Sequence, residues 1–203
     1  MPSKNVIKRR VGEAYYHIYA RGASKQLIFV DESDFVKFLR LLKRYLSVEP
    51  TRSSTGGIYP NFHKRIDLLA YCLMGNHIHL LIWQRDELAM TELMRALMTS
   101  YSRYFNLKYK RTGSLFESRY KASLIDQQNY LQHISRYIHL NPRYWKRYPY
   151  SSLTYYFDRR PEWLNPEKIE SLFTNRADYL LFLEDYEDQR DILQMIKYTL
   201  ANY

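Results

Sequence analysis

The chain reads as an α+β protein, with helices packed on one face of a mostly antiparallel sheet and a helical extension at its C-terminal end. Segments rich in aromatic and β-branched residues alternate with longer segments whose apolar residues recur at helical spacing, in the order strand, helix, hairpin, helix, strand, helix. Two of the strands are separated only by Gly75-Asn76, so they must turn back on each other. Beyond residue 143 aromatic and basic residues interleave, and a tail rich in Leu, Phe and Tyr follows.

Ala14 to Ala20 is β-rich and ends at Arg21-Gly22, a natural turn, which makes it the first expected strand. A helix is predicted over Asp31 to Val48. Asp31 or Ser33 can cap it, and Phe35, Phe38, Leu39, Leu42 and Leu46 form its apolar stripe. Pro50 to Lys64 carries Ser-Ser-Thr-Gly-Gly and two prolines, the composition of a loop or hairpin tip. Ile66 to Met74 and His77 to Gln84 form a hairpin, with Gly75 and Asn76 expected to supply the positive φ angles of its turn. Thr91 to Tyr109 is amphipathic, with Leu93, Leu97, Tyr101, Tyr104 and Phe105 on one face and Arg95, Thr99, Ser102, Arg103 and Lys110 on a basic one. Phe116 to Ile125 alternates, which predicts a half-buried strand with Glu117, Arg119, Lys121 and Ser123 on its polar side. Asp126 can cap a helix over Gln127 to about Leu140, whose apolar face is Tyr130, Ile134, Tyr137 and Ile138. Pro142 stops that helix and leaves Asn141 at or just past its end. Two further helices are expected in Pro166 to Tyr203.

The formal net charge is +10, from 31 Lys and Arg against 21 Asp and Glu. This favours a polyanionic partner, with nucleic acid ahead of a membrane surface. The 21 tyrosines add rings that stack on bases and hydroxyls that bond phosphates, although most must serve core and surface. Hydrophobic content of 46% argues against disorder. A single cysteine, Cys72, rules out an intramolecular disulfide and fits a reducing compartment. Met1 to Gly12 is basic and lacks the apolar core of a signal peptide, and no apolar run approaches the length of a bilayer span. A soluble, cytoplasmic protein is expected.

The chemistry concentrates in Met74-Gly75-Asn76-His77-Ile78-His79-Leu80. On a strand, His77 and His79 share one face and present two imidazoles to a common point. A divalent cation suits that arrangement; two half-exposed histidines on a solvated face are the plain alternative. The chain has six His and one Cys, and no further ligand stands at motif spacing. A mixed nitrogen and oxygen site for Mg²⁺ or Mn²⁺ therefore fits better than a structural zinc site. On the helix before Pro142, His133, Tyr137 and Asn141 fall at i, i+4 and i+8 along one flank. Tyrosine serves as a covalent nucleophile when its surroundings or a metal activate it, and Asn141 offers a carbonyl oxygen to an ion. Helical periodicity by itself favours a core aromatic at Tyr137.

Several stretches in this order resemble the REP-associated tyrosine transposases, part of the HUH single-tyrosine superfamily of single-strand DNA transposases. They are Gly75-Asn76-His77-Ile78-His79, Tyr101 to Asn106, Arg111-Thr112-Gly113-Ser114-Leu115-Phe116-Glu117-Ser118-Arg119-Tyr120-Lys121, Arg136-Tyr137-Ile138-His139-Leu140-Asn141-Pro142 and Tyr148-Pro149-Tyr150-Ser151-Ser152-Leu153. The resemblance spans roughly residues 13 to 156. In the last stretch relatives often carry Trp in place of Tyr. At the position of Asn141 insertion-sequence relatives carry Gln, whose longer reach leaves room here for an intervening water.

The resemblance implies a ferredoxin-like (RRM-like) HUH fold with the histidine pair on a central strand. Residues 1–145 would form the catalytic domain and 146–203 a C-terminal helical extension. It implies that His77, His79 and Asn141 bind a divalent cation, Mg²⁺ or Mn²⁺, and that Tyr137 is the nucleophile. The implied reaction is attack by Tyr137 on a phosphodiester of single-stranded DNA, forming a 5′-phosphotyrosine and releasing a 3′-hydroxyl. Reversal by another 3′-hydroxyl rejoins strands, so no ATP motif is needed. Arg119 and Lys121, in the Arg-Tyr-Lys element, are candidates for holding DNA phosphates, with Arg95 and Arg103 on the preceding helix as further ones. His133 is a candidate for orienting Tyr137, whereas His139 points to another side of its helix. The implied partners are REP-like single-stranded DNA hairpins with an adjacent guide sequence, which Lys4 to Arg10 are also placed to contact. The long extension favours a monomer over a homodimer. The alternative is an RRM-like nucleic-acid-binding or regulatory protein without catalysis. Against it, no RNP-type aromatic signature appears, and both histidines, the tyrosine and the polar residue four positions later are all present.

Overall fold

The computed structural model describes residues 11–126, 128–185 and 196. The basic segment Lys4 to Arg10, Gln127 and most of the tail beyond residue 185 lie outside the described residues. Strands β1 (Ala14–Arg21), β2 (Ile66–Met74), β3 (His77–Gln84) and β4 (Lys121–Ile125) form one antiparallel sheet in the order β2-β3-β1-β4. Helix α1 (Glu32–Leu46) connects β1 to β2, and α2 (Ala89–Lys108) connects β3 to β4. This βαββαβ order is the ferredoxin-like arrangement.

Alternation divides the sheet between two cores. Tyr16, Ile18 and Ala20 of β1 and Ile78, Leu80 and Ile82 of β3 face α1 and α2, and meet Phe38, Leu42, Leu93 and Leu97 there. The opposite face carries Leu69, Ala70, Cys72, Leu81 and Ile125. It is covered by α3 (Gln128–His139) through Leu131, Ile134 and Ile138, and by Tyr156, Ile169, Tyr179 and Leu183 of the C-terminal segment. Helices thus cover both faces rather than one. The continuous burial of β2 is the physical sign, since a strand with one wet face alternates. The short helices α4 (Thr154–Phe157) and α5 (Glu167–Glu170) and the longer α6 (Arg176–Glu184) make up the described part of the extension.

Helix α1 begins with a capping box. The Asp31 side chain accepts from the Asp34 amide, and the Asp34 side chain accepts from the Asp31 amide. Asp34 is fully buried there, and Lys108 Nζ lies 2.8 Å from its Oδ1, tying the start of α1 to the end of α2. The β2–β3 hairpin differs from expectation. Neither Gly75 nor Asn76 has a positive φ. The turn is held from outside instead: the Gly75 carbonyl accepts from Ile28 and Phe29, and the Asn76 carbonyl accepts from Gly22. β4 is also shorter than the alternation suggested. Phe116 makes only an isolated bridge to Gly22, and Ser114 Oγ and Ser118 Oγ donate to the Phe116 and Arg119 carbonyls. Such local hydroxyl bonds compete with a ladder, and Arg119 falls in a loop before the strand.

The outer edge of β2 is paired by the C-terminal segment. Leu73 N donates to the Tyr150 carbonyl and Ser152 N to the Tyr71 carbonyl, each at 2.9 Å, around a bridge of Cys72 to Ser151. This closes an edge that would otherwise offer free backbone groups. Among the described residues no helix is long and apolar enough to cross a membrane.

Candidate active site

Three elements meet on the α3 face of the sheet. β3 supplies His77 and His79, which share a face because they are two residues apart. β1 supplies their neighbours: Tyr19 stands opposite His79 and Arg21 opposite His77. α3 supplies Tyr137 in its last turns, and Asn141 follows just beyond its end, ahead of Pro142.

The polar atoms converge on Asn141. His77 Nε2 lies 3.2 Å from Asn141 Oδ1, and His79 Nε2 lies 3.5 Å from Asn141 Nδ2. The other ring nitrogens turn away: His77 Nδ1 is 2.7 Å from Asn76 Oδ1, and His79 Nδ1 is 2.9 Å from His17 Nε2. The half-buried Tyr137 ring meets the His79 ring edge-on at 5.3 Å and the His17 ring at 5.9 Å. Tyr19 lies 5.1 Å from His79, with the Arg21 guanidinium 5.4 Å from the Tyr19 ring.

Burial dominates the protonation of this cluster. It pushes the Tyr137 phenol up to about 12, aided by Tyr19, while a hydrogen bond with Asn141 and the charge of Arg21 pull the other way. It holds His77 below its ordinary value and His79 well below it, so both present neutral imidazole nitrogens. Two imidazole nitrogens and one amide oxygen are a donor set that a divalent ion of borderline hardness accepts. Among the described residues no group of three or more His, Cys, Asp and Glu side chains is built as a metal cluster, so any ion here would rest on Asn141 as its oxygen donor.

The remaining candidates scatter. His133, expected on the flank of Tyr137, turns to the extension: its Nδ1 is 2.9 Å from Arg136 Nη2 and its ring 5.7 Å from Phe182. His139 is buried between Tyr179 and Ser152, with ring nitrogens 2.7 and 2.8 Å from their hydroxyls, outside the cluster as expected. Lys121 stands opposite Tyr19 on the site face of β4. Arg95 and Arg119 both line a groove of about 1050 Å³ between α2 and the loop before β4, which Arg103 does not line. Sequence reasoning missed His17, Tyr19 and Arg21. Their alternation along the first strand is the signal that could have found them, once the hairpin register was known.

Residues 61–141 match the family model of the IS200-like transposases, from just before the hairpin to Asn141. The resemblance read from the sequence holds over this segment. Among solved structures, one of a REP-associated tyrosine transposase bound to a REP hairpin matches with a TM-score of 0.55 at 12% identity, covering 78% of this chain and 89% of that one. That likeness shows a common fold. A candidate transposase from Deinococcus radiodurans R1 matches with a TM-score of 0.40 at 16% identity, covering 64% of this chain and 92% of its own. No curated protein matches the chain by sequence.

Proposed function

We propose that the chain is a metal-dependent transposase that cleaves and rejoins single-stranded DNA beside hairpins, through a 5′-phosphotyrosine on Tyr137. The observation that carries this reading is the meeting of the Tyr137 ring with His79, at 5.3 Å, while Asn141 spans the Nε2 atoms of His77 and His79. A structural aromatic would not need polar groups from β3 and the end of α3 brought to its edge. The match to the IS200-like transposases over this segment supports the same reading. The hairpin bound by the protein of similar fold supports hairpin DNA as the substrate class.

In the proposed reaction the Tyr137 oxygen attacks the scissile phosphorus and its phenolic proton is lost. The bond to the 3′ oxygen breaks, leaving a 3′-hydroxyl and a 5′-phosphate joined to Tyr137. A second 3′-hydroxyl reverses the step and joins a new strand, so the phosphodiester energy is conserved. A divalent ion, Mg²⁺ or Mn²⁺, held by His77, His79 and Asn141 would supply Lewis-acid polarisation of the phosphate. Arg21, beside Tyr19 and opposite His77, favours charge at this point. Lys121 on the site face and Arg95 and Arg119 along the groove offer phosphate contacts, in keeping with a net charge of +10. Arg103 is exposed on α2 and offers one more.

The test is a hairpin oligonucleotide with a flanking single strand, labelled at its 3′ end and incubated with Mn²⁺. The parent is expected to carry label on the protein through denaturation, and chelation to abolish it. Tyr137→Phe is expected to bind the hairpin and form no adduct. Labelled Tyr137→Phe protein would refute the assignment. Hairpin binding by the parent with no adduct under any divalent ion would leave an RRM-like binding protein instead.

A further inference from the structure

His17 has no place in the reading so far, yet it is the most confined polar group at the site. It is 1% exposed and His79 2% exposed. The two rings are nearly parallel, 13° apart, and His17 Nε2 lies 2.9 Å from His79 Nδ1. The other nitrogen of His17, Nδ1, is buried with no hydrogen-bond partner among the described residues. A buried polar atom left unpaired is costly and needs an explanation. The contact of His17 with His79 is the one that could supply it.

His77 shows what such a contact does. The Asn76 side-chain nitrogen donates to the Lys25 carbonyl, so Asn76 Oδ1 faces His77 Nδ1 at 2.7 Å. That oxygen only accepts, and at 2.7 Å it is nearer than Asn141 Oδ1 at 3.2 Å, so the single ring proton sits on Nδ1 and Nε2 keeps a lone pair for an ion shared with Asn141 Oδ1. His79 has the same orientation, with Nε2 on the Asn141 side and Nδ1 on the far side. To offer a lone pair at Nε2 it must carry its proton on Nδ1, where His17 Nε2 is in place to accept it.

We infer that His17 is a positioning residue: it accepts the Nδ1 proton of His79 and so holds the Nε2 lone pair of His79 toward the ion site. The unpaired Nδ1–H of His17 is then the cost of that tautomer. This rests on the metal reading of the site above. Ligand histidines commonly give their second nitrogen to a carboxylate, a carbonyl or water, and loss of that partner typically costs 10- to 100-fold in metal affinity. Here a second imidazole takes that part.

Mn²⁺ titration of the full chain, followed by calorimetry, tests this without any turnover. His17→Phe is expected to weaken binding 10- to 100-fold. His17→Gln, whose Oε1 reaches the place of Nε2 and accepts, is expected to restore it to within a few-fold of the parent. Mg²⁺-loaded parent is expected to show His79 protonated at Nδ1 in long-range ¹H–¹⁵N spectra. Undiminished binding in His17→Phe, a His17→Gln as weak as His17→Phe, or a proton on His79 Nε2 would each overturn the inference. His77→Ala separates the two levels. If it abolishes Mn²⁺ binding while His17→Phe does not, only the role of His17 falls. If the parent takes up no Mn²⁺, the metal reading falls and the role of His17 with it.

Discussion

Tyr137 and the buried histidines give the residue scale two pH signatures of opposite origin. Burial pushes the Tyr137 phenol up to about 12, so at neutral pH its phenolate is a minor species that grows tenfold per pH unit. Single-turnover adduct formation is expected to rise about tenfold per unit between roughly pH 7 and 9, where His77 and His79 are already neutral. A flat profile over that span would remove phenol ionisation from the rate. Burial also lowers His17 and His139 to about 3, from an ordinary value of 6.5. Between those values the unfolded chain binds protons that the folded one refuses, so stability falls as the pH falls. The expected slope is about 1 kcal/mol per pH unit for each histidine. Urea unfolding from pH 7 to pH 4 measures it, and His17→Phe should flatten it by one histidine's share. A pH-independent midpoint would contradict the buried, neutral state of both rings. At this scale short spacings set His77 beside His79 on one strand and Tyr137 near Asn141 along one helix, while their grouping into one candidate site came from the family resemblance. Neither identified His17, Tyr19 and Arg21, whose proximity depends on how β1 pairs with β3.

The elements show how local signals compete. Asp31, one of the two caps expected, makes the start of α1 legible, and Gly75-Asn76 places the hairpin turn to the residue. The turn departs from the expected positive φ angles because Gly75 and Asn76 are held by the loop over residues 22–29. Gly22 is the pivot of that loop. A Cβ there would meet the Gln26 carbonyl oxygen at 2.2 Å and Ile28 Cγ2 at 2.9 Å, while Gly22 N donates to the Asn76 carbonyl. Gly22→Ala is therefore expected to cost about 1–3 kcal/mol. It should also weaken Mn²⁺ binding, since the displaced turn carries His77. Gly57→Ala, where the nearest atom is Ser53 Oγ at 3.4 Å, is the control and should melt with the parent. Equal melting of both variants would show that the loop yields freely. The overlong reading of β4 has a similar cause: alternation persists through Phe116 and Tyr120 although serine hydroxyls take the backbone out of the ladder.

At the scale of the whole molecule, the second core governs the support of Tyr137. Leu183 and Tyr179 of α6 pack with Ile134 and Ile138 of α3 under the sheet, and Arg136 beside Tyr137 donates to the Phe182 carbonyl at 3.2 Å. Leu183→Ala is expected to cost about 2–5 kcal/mol. Its loss should appear as one transition, with far-UV dichroism and tryptophan fluorescence melting together, rather than as early release of the extension. Two separated transitions would support a division at residue 145. Tyr137 lies beside His79 of its own chain, so a monomer suffices in this reading. Mixing Tyr137→Phe with His77→Ala should then restore no adduct, and recovered activity would indicate sites shared between copies.

From the sequence alone came the α+β class, the hairpin with its paired histidines, and the helix that carries Tyr137 near its end with Asn141 just beyond it. Each depends on periodicity or spacing within a few residues, where backbone geometry leaves little choice. Tertiary structure decided the rest: that helices cover both faces, that residues 150–152 close the β2 edge, and that His17 stands behind His79. These are contacts between segments tens of residues apart, and strand order and register, which no local pattern encodes, determine which side chains meet.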